Sequence, residues 1–279
     1  MTVNDMHTAF KIGLDKSDTL NYPNFSSPEI DIFLNQAQER FIKQRYGISN
    51  PKGDSFEETQ KRTDDIREVL EDAKISTFTK TTQNKPFGVF AGLPSTAPGN
   101  VYWFAINEEI DIAFIDCNST VVTSGNIVAT NYYIVTSGSV VYETVTYNVG
   151  EHFVGNGATY TGTGTVKSAS LKRVGIRPIQ HDDYNKIIND PFNKPYHDQA
   201  VRLMFKDKAE LITDSDSSVV AYYLRYIRKP LQISLTSSVN SELADHTHQE
   251  VVDMAVSLCL ENIESVRYQT NLNELVKVE

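Results

Sequence analysis

Cysteine is almost absent from this chain: Cys117 and Cys259 are its only two in 279 residues, and they lie far apart. That argues against a disulfide framework and against a cysteine-based zinc site. No apolar run approaches the roughly 20 residues that cross a bilayer, so no membrane partner is expected. The opening residues Met1–Met6 lack the basic start and apolar core of a secretory leader. Cations are outnumbered as well, 26 Lys and Arg against 36 Asp and Glu, for a net charge of −10. A surface that wraps nucleic acid needs the opposite balance, although an acidic channel would let DNA slide through without sticking. With 40% hydrophobic residues and a mean hydropathy of −0.35, the chain has an ordinary globular balance. Its length suffices for one large domain or two smaller ones.

Motifs that carry chemistry are missing too. There is no Gly-x-Ser-x-Gly elbow, no His-Glu-x-x-His and no Cys beside a plausible His partner. Gly155-Asn156-Gly157 and Gly162-Thr163-Gly164 lack the spacing and the Gly-Lys-Ser/Thr of a phosphate loop, and they read as turns in a β-rich setting. Asp214-Ser215-Asp216-Ser217-Ser218 has neither the central Gly nor the closing acid of a calcium loop, so it reads as a polar connection between strands. His246 and His248 offer two ligands, but adjacent turns at a helix start do not aim both rings at one ion, and the nearest other His in sequence is His197. In His181-Asp182-Asp183, helix capping by an Asp is the simpler reading than an acid/base or metal site. No metal, no cofactor and no enzymatic activity is expected.

Composition divides the chain. Between Cys117 and Val166 the only charged residues are Glu143 and Glu151, in a stretch dense in Thr, Val, Gly, Ser and Tyr. These residues suit half-buried strands and tight turns. We read 117–168 as an inserted β module, and 1–116 with 169–279 as one discontinuous core. Within the core, Met6, Ala9, Phe10 and Leu14 carry helical spacing, and Ser27, Pro28 and Glu29 form a helix start. The stripe Ile30, Phe33, Leu34, Ala37 and Phe41 follows, with Gly47 placed to end the helix. A second helix is expected from Ser55, with Glu58 completing its cap and Ile66, Val69, Leu70 and Ala73 on its apolar side.

Ile110, Ile112 and Phe114 then alternate with Glu109 and Asp111, which reads as a strand. Beyond the insert, Lys172, Arg173 and Arg177 lie along a second such run, so the acidic and basic segments are predicted to pair antiparallel. A short helix is expected near Asp183–Asn189, barred from continuing by Pro191. A meander follows: 201–205, 209–213, 219–227, and Leu231, Ile233 and Leu235. A last helix spans about 246–268, capped by Asp245, with Val252, Ala255, Val256, Cys259, Ile263 and Val266 buried. The expected fold is therefore α+β: a helical pair or bundle packed with a short antiparallel meander, plus the inserted all-β module. In that module Tyr132, Tyr133, Tyr142, Tyr147 and Tyr160 either line a contact face for sugar or protein, or supply a core short of Leu and Phe. Trp103, between Tyr102 and Phe104, is expected in the core.

Several stretches carry a family resemblance. Phe25 through Ile42, Phe56-Glu57 with Gln60 through Arg67, His181 through Asn185, Asn189 through Pro195 and Leu224 through Pro230 resemble virion proteins of crAss-like and related tailed bacteriophages. The resemblance covers most of both flanks and is less specific in the insert. It implies a head–tail connector, a ring or adaptor protein at the head–tail junction of the virion, made in the host bacterial cytoplasm. Its implied partners are copies of itself, usually twelve, with the portal protein and other ring or tail proteins. Genomic DNA would pass through the channel without sequence-specific binding. The competing reading is an accessory protein that binds host glycan or another virion protein through the β insert. A cell-wall or nucleic-acid hydrolase would need a close acid/base pair that the sequence does not display.

Overall fold

The computed structural model describes residues 1–15, 25–47, 60–80, 88–95 and 101–263. The chain is mixed α+β and divides into two compact units. One takes Met1–Leu70, Pro98–Val101 and Ile227–Glu279; the other takes Glu71–Ala97 and Tyr102–Tyr226.

The first unit is helical. Helix α1 (Val3–Asp15) buries Met6, Phe10 and Leu14, the expected stripe, with Ala9 half-buried at its edge. Helix α2 (Ser27–Tyr46) starts one residue earlier than its sequence suggests. Ser26 is the N-cap, and its N–H and Oγ–H both donate to Glu29 Oε2, at 2.7 and 2.8 Å. Pro28 therefore sits second in the helix. Ile30, Leu34, Ala37 and Phe41 are buried; Phe33 is half-buried and stacks on Phe10 with centroids 6.1 Å apart. Gly47 ends the helix as expected, but in extended backbone rather than a left-handed turn, and its N–H donates to the Lys43 carbonyl at 2.7 Å.

Helix α3 is short (Gln60–Ile66) and passes through a 3-10 turn at Arg67–Val69. Leu70 and Ala73, expected on its apolar side, instead belong to strand β1 (Leu70–Ile75). Pairing with a neighbouring strand outweighs a weak helical preference here. Ser55 and Glu58 lie outside the described residues. The last helix, α5 (His248–Asn262), packs on both α1 and α2 and buries Val251, Val252, Ala255, Val256, Cys259 and Leu260. It starts later than expected, after a 3-10 turn at Asp245–Thr247. Asp245 does not cap it, since that carboxylate accepts from the Met1 amine at 2.9 Å. Ile263, expected in the buried stripe, is exposed, and Val266 lies outside the described residues.

Leu231, Ile233 and Leu235 do not form the predicted strand. Ser234 makes only an isolated bridge to Val239, Leu235 lies in the turn between them, and the Leu231 N–H donates to Glu242; the other backbone partners are side chains of α2. Gln38 Nε2 donates to the Leu231 carbonyl at 3.0 Å. Asn35 donates to the Ile233 carbonyl at 2.9 Å and accepts its N–H at 2.7 Å. Asp31 accepts the Leu235 N–H at 3.2 Å. Spacing of i, i+4 and i+7 puts these three side chains on one helical face, where they act in place of a neighbouring strand.

The second unit is built on β-structure. Its strands in chain order are β1, β2 (Phe78–Lys80), β3 (Gly88–Gly92), β4 (Tyr102–Phe114), β5 (Val121–Val122), β6 (Tyr132–Ser137), β7 (Ser139–Tyr142), β8 (Val145–Asn148), β9 (His152–Val154), β10 (Thr161–Gly162), β11 (Thr165–Pro178), β12 (Ala200–Met204), β13 (Lys208–Ile212) and β14 (Ser217–Arg228). Among the described residues, eleven of them form one sheet, whose main path runs β1-β14-β4-β11-β12-β13-β3-β2. This is a far larger sheet than the short meander expected. It is also not wholly antiparallel. The chain leaves β11, forms helix α4 (Tyr184–Asn189) and returns so that β12 runs parallel to β11. Val201, Leu203 and Ile212 pack there with Ile187 and Ile188 of α4. The helix stops before Asp190, which is extended ahead of Pro191 as expected.

The predicted pairing of acidic and basic segments is present. β4 and β11 run antiparallel with Asp111 opposite Arg173, and Arg173 Nε donates to Asp111 Oδ1 at 2.8 Å. Their inner faces, with Ile110, Ile112 and Val174, join Tyr222, Leu224 and Tyr226 in the main core. The N-terminal part of β11, Thr165–Ala169, pairs instead with β6, and β5 pairs with Val166 and Lys167 on the opposite edge. Strands β10, β7 and β8 form a separate three-stranded sheet. Gly162 is the tight point of that sheet: its φ is +120°, and an added Cβ would lie 2.4 Å from the Ser139 carbonyl oxygen. Gly162→Ala is expected to cost about 2 kcal/mol from backbone strain and the forced shift. A urea melt followed by tyrosine fluorescence checks this, and an unchanged midpoint would contradict it.

Candidate partner-contact sites

Four of the five tyrosines, Tyr133, Tyr142, Tyr147 and Tyr160, surround one small core. Tyr133 and Tyr142 are buried, and with Tyr147 they pack around Phe153 at centroid distances of 5.5, 4.5 and 5.3 Å. Their hydroxyls are used locally: Tyr133 accepts the Val128 N–H at 2.9 Å, and Tyr142 accepts the Asn156 N–H at 2.8 Å. Tyr160 is half-buried and donates to the Val122 carbonyl at 3.0 Å. Tyr132 is half-buried beside His152. The exposed apolar side chains of the stretch are valines: Val121, Val128, Val141, Val145, Val149 and Val154.

His152 ties this stretch to β14, with Nδ1 2.9 Å from Ser218 Oγ, and the neighbouring Glu151 pairs with Lys80 at 2.9 Å. Burial lowers the His152 pKa below its usual value, with the Glu151 carboxylate opposing. The unfolded chain thus binds a proton that the folded chain refuses. The contribution is complete above about pH 7 and lost as the pH falls through the unfolded value near 6.5. Thermal stability is expected to drop between pH 7.5 and 5.5, and His152→Gln should flatten that slope. Equal slopes in both proteins would contradict the assignment.

The remaining candidates disperse. His246 Nε2 meets Asp65 Oδ1 at 2.9 Å, whereas His248 Nε2 meets the Leu243 carbonyl at 2.8 Å, so the two rings serve different partners. Among the described residues, no three His, Cys, Asp or Glu side chains converge to hold a metal. Asp183 occupies the N-cap position of α4 but makes no cap bond; it accepts from Lys186 Nζ at 2.9 Å instead. His181 meets the Met204 carbonyl at 2.9 Å. Asp214–Asp216 lie in the connection between β13 and β14, as expected, while Ser217 and Ser218 already open β14. Trp103 is half-buried and stacks on Phe104 at 4.8 Å, short of the expected core position. Cys117 is exposed, while burial pushes the Cys259 thiol up to about 11.

Two features escaped the sequence reading. One is the polar face of α2, whose signal was Asp31, Asn35 and Gln38 at helical spacing beside an apolar stripe. The other is the connection after α4. Asp190 accepts the Phe192 N–H at 3.0 Å and an Asn193 amide N–H at 2.5 Å, and its carbonyl accepts the Lys194 N–H at 2.9 Å. Arg177 holds the far side through the Asn193 carbonyl at 2.6 Å. At the tip, the Phe192 residue is 92% exposed.

The model of the phage tail ring protein 3/4 family matches residues 1–138 and 163–271. The chain belongs to this family. A relative is "Ring protein 4/5" of Bacteroides phage crAss001, 28% identical over 123 residues, which are 37% of this chain and 49% of that protein. The alignment thus spans about half the length of the curated relative. As a member of the phage tail ring protein 3/4 family, the protein is a structural ring protein of a phage virion. Both units contribute to the family match, and the residues it passes over, 139–162, hold β7, β8, β9 and β10. No helix among the described residues is long and apolar enough to cross a membrane.

Proposed function

We propose that this phage tail ring protein forms a closed ring of twelve copies between portal and tail, extends the DNA conduit and docks the next tail component. The family match over both flanks carries this reading. The net charge of −10 agrees with a conduit that does not hold DNA. Native mass spectrometry of the purified protein is expected to give a twelvefold species. A monomer at every concentration would contradict self-assembly.

We further propose that 117–168 is an excursion from the β4–β11 ribbon and contacts another virion protein or a host glycan. Its support is a buried cluster of its own, six exposed valines and the family model's passage over 139–162. Tyr132, Tyr147 and Tyr160, each partly open, would take part in the contact, with Tyr133 and Tyr142 as the packing behind them. Replacing 118–167 by a short linker is expected to leave the α1, α2 and α5 helices folded by circular dichroism. Loss of that helical signal would refute the excursion.

A further inference from the structure

Phe192 is held out of its own fold. A large apolar side chain left in water forgoes the burial that ordinarily stabilises it. Here the surrounding backbone is fixed, not loose: Asp190 and Arg177 supply the bonds described above, and Pro191 and Pro195 flank the tip. Such rigidity lowers the entropy lost when a side chain is immobilised at an interface. The pairing of a preset loop with an unburied aromatic is the arrangement of a binding anchor. Two residues further on, the Lys194 ammonium is exposed and makes no ion pair or hydrogen bond among the described residues.

We propose that Phe192 is the anchor of the contact between adjacent copies in the ring, inserting into an apolar recess of the neighbouring copy while Lys194 meets one of its carboxylates. The inference rests on the ring reading above. Two observations favour a second copy as the occupant. The loop lies in the family-matched part of the chain, 163–271, outside the stretch that the family model passes over. A chain with 36 acids against 26 bases also offers its neighbours carboxylates in excess, complementary to an unpaired lysine. Within the proposed ring this contact is head-to-tail, the kind that closes into rings.

The test compares the full chain with Phe192→Asp and Asp190→Ala by native mass spectrometry and sedimentation, with circular dichroism melts alongside. Phe192→Asp is expected to weaken assembly at least tenfold with an unchanged melt, since the side chain is unburied in the single chain. Asp190→Ala, which frees the loop but keeps the aromatic, is expected to weaken assembly by a smaller factor. Rings in wild type and equally in Phe192→Asp would overturn the anchor while leaving the ring reading intact. Equal rings in wild type and Phe192→Asp, with only the wild type binding a different virion protein, would assign the loop to that protein and overturn the copy-to-copy contact. A wild-type monomer throughout would overturn both.

Discussion

Replacing Arg45 with alanine is expected to destabilise the helical unit by about 3–5 kcal/mol, the usual cost of stripping one partner from a buried ion pair. Arg45 reaches from the end of α2 to Asp65 on α3, Nε to Oδ2 2.9 Å, and to Glu250 on α5, Nη2 to Oε2 2.5 Å. Its guanidinium also lies 4.8 Å above the Phe41 ring. Asp65 is completely buried, so without Arg45 its charge keeps, among the described residues, only His246, at 2.9 Å. Glu250 is more open and retains Lys61 at 3.6 Å, so its loss matters less. The cost therefore arises from the stranded Asp65 carboxylate more than from any attraction lost. Replacing Arg45 and Asp65 together by leucines should accordingly cost less than Arg45→Ala alone. Urea unfolding followed at 222 nm, below the concentration of assembly, measures both. An Arg45→Ala shift smaller than about 1 kcal/mol would show that this network carries little of the stability.

Asn35→Leu is the second large effect, about 2–5 kcal/mol. The substitution keeps the helix and nearly the volume, so propensity and packing change little. It removes both the acceptor of the Ile233 N–H and the donor to the Ile233 carbonyl. Ile233 is 1% exposed, so water does not readily replace either bond. Each orphaned buried group costs about 1–3 kcal/mol. Gln38→Leu removes one such backbone bond, to Leu231, together with acceptance from Ser241 Oγ at 2.7 Å, and should be milder at the backbone. Equal, small shifts for both variants would mean that the 231–235 segment is held by its apolar side chains instead.

That segment also shows where local pattern stops being informative. Apolar alternation at Leu231, Ile233 and Leu235 suggests a strand, yet the segment forms none, and the identity of the hydrogen-bond partner is a tertiary fact. A helix face supplies what a strand would normally supply. Leu70 and Ala73 failed for a related reason: their spacing fits a helix and a strand about equally, and pairing decided the matter. By contrast, α2 was readable because cap, proline and stripe agree, and the β4–β11 pair because opposite charges mark its two strands. The tyrosines of 117–168 were ambiguous in sequence since an aromatic with a polar tip suits both a core and a contact surface. Tyr133 and Tyr142 use the ring for one and the hydroxyl for turn backbone. Phe192 sits in a stretch of turn residues, and no local signal says that its ring stays outside.

The measurement that bears most directly on the whole account is an electron cryomicroscopy reconstruction of the phage particle in which this chain is built. Twelve copies are expected around the tail axis below the portal, enclosing the DNA path, with the 190–195 loop of each copy seated on the next. A reconstruction placing the chain as single copies away from that axis, or as a separate globule with a substrate between converging ionisable side chains, would contradict it.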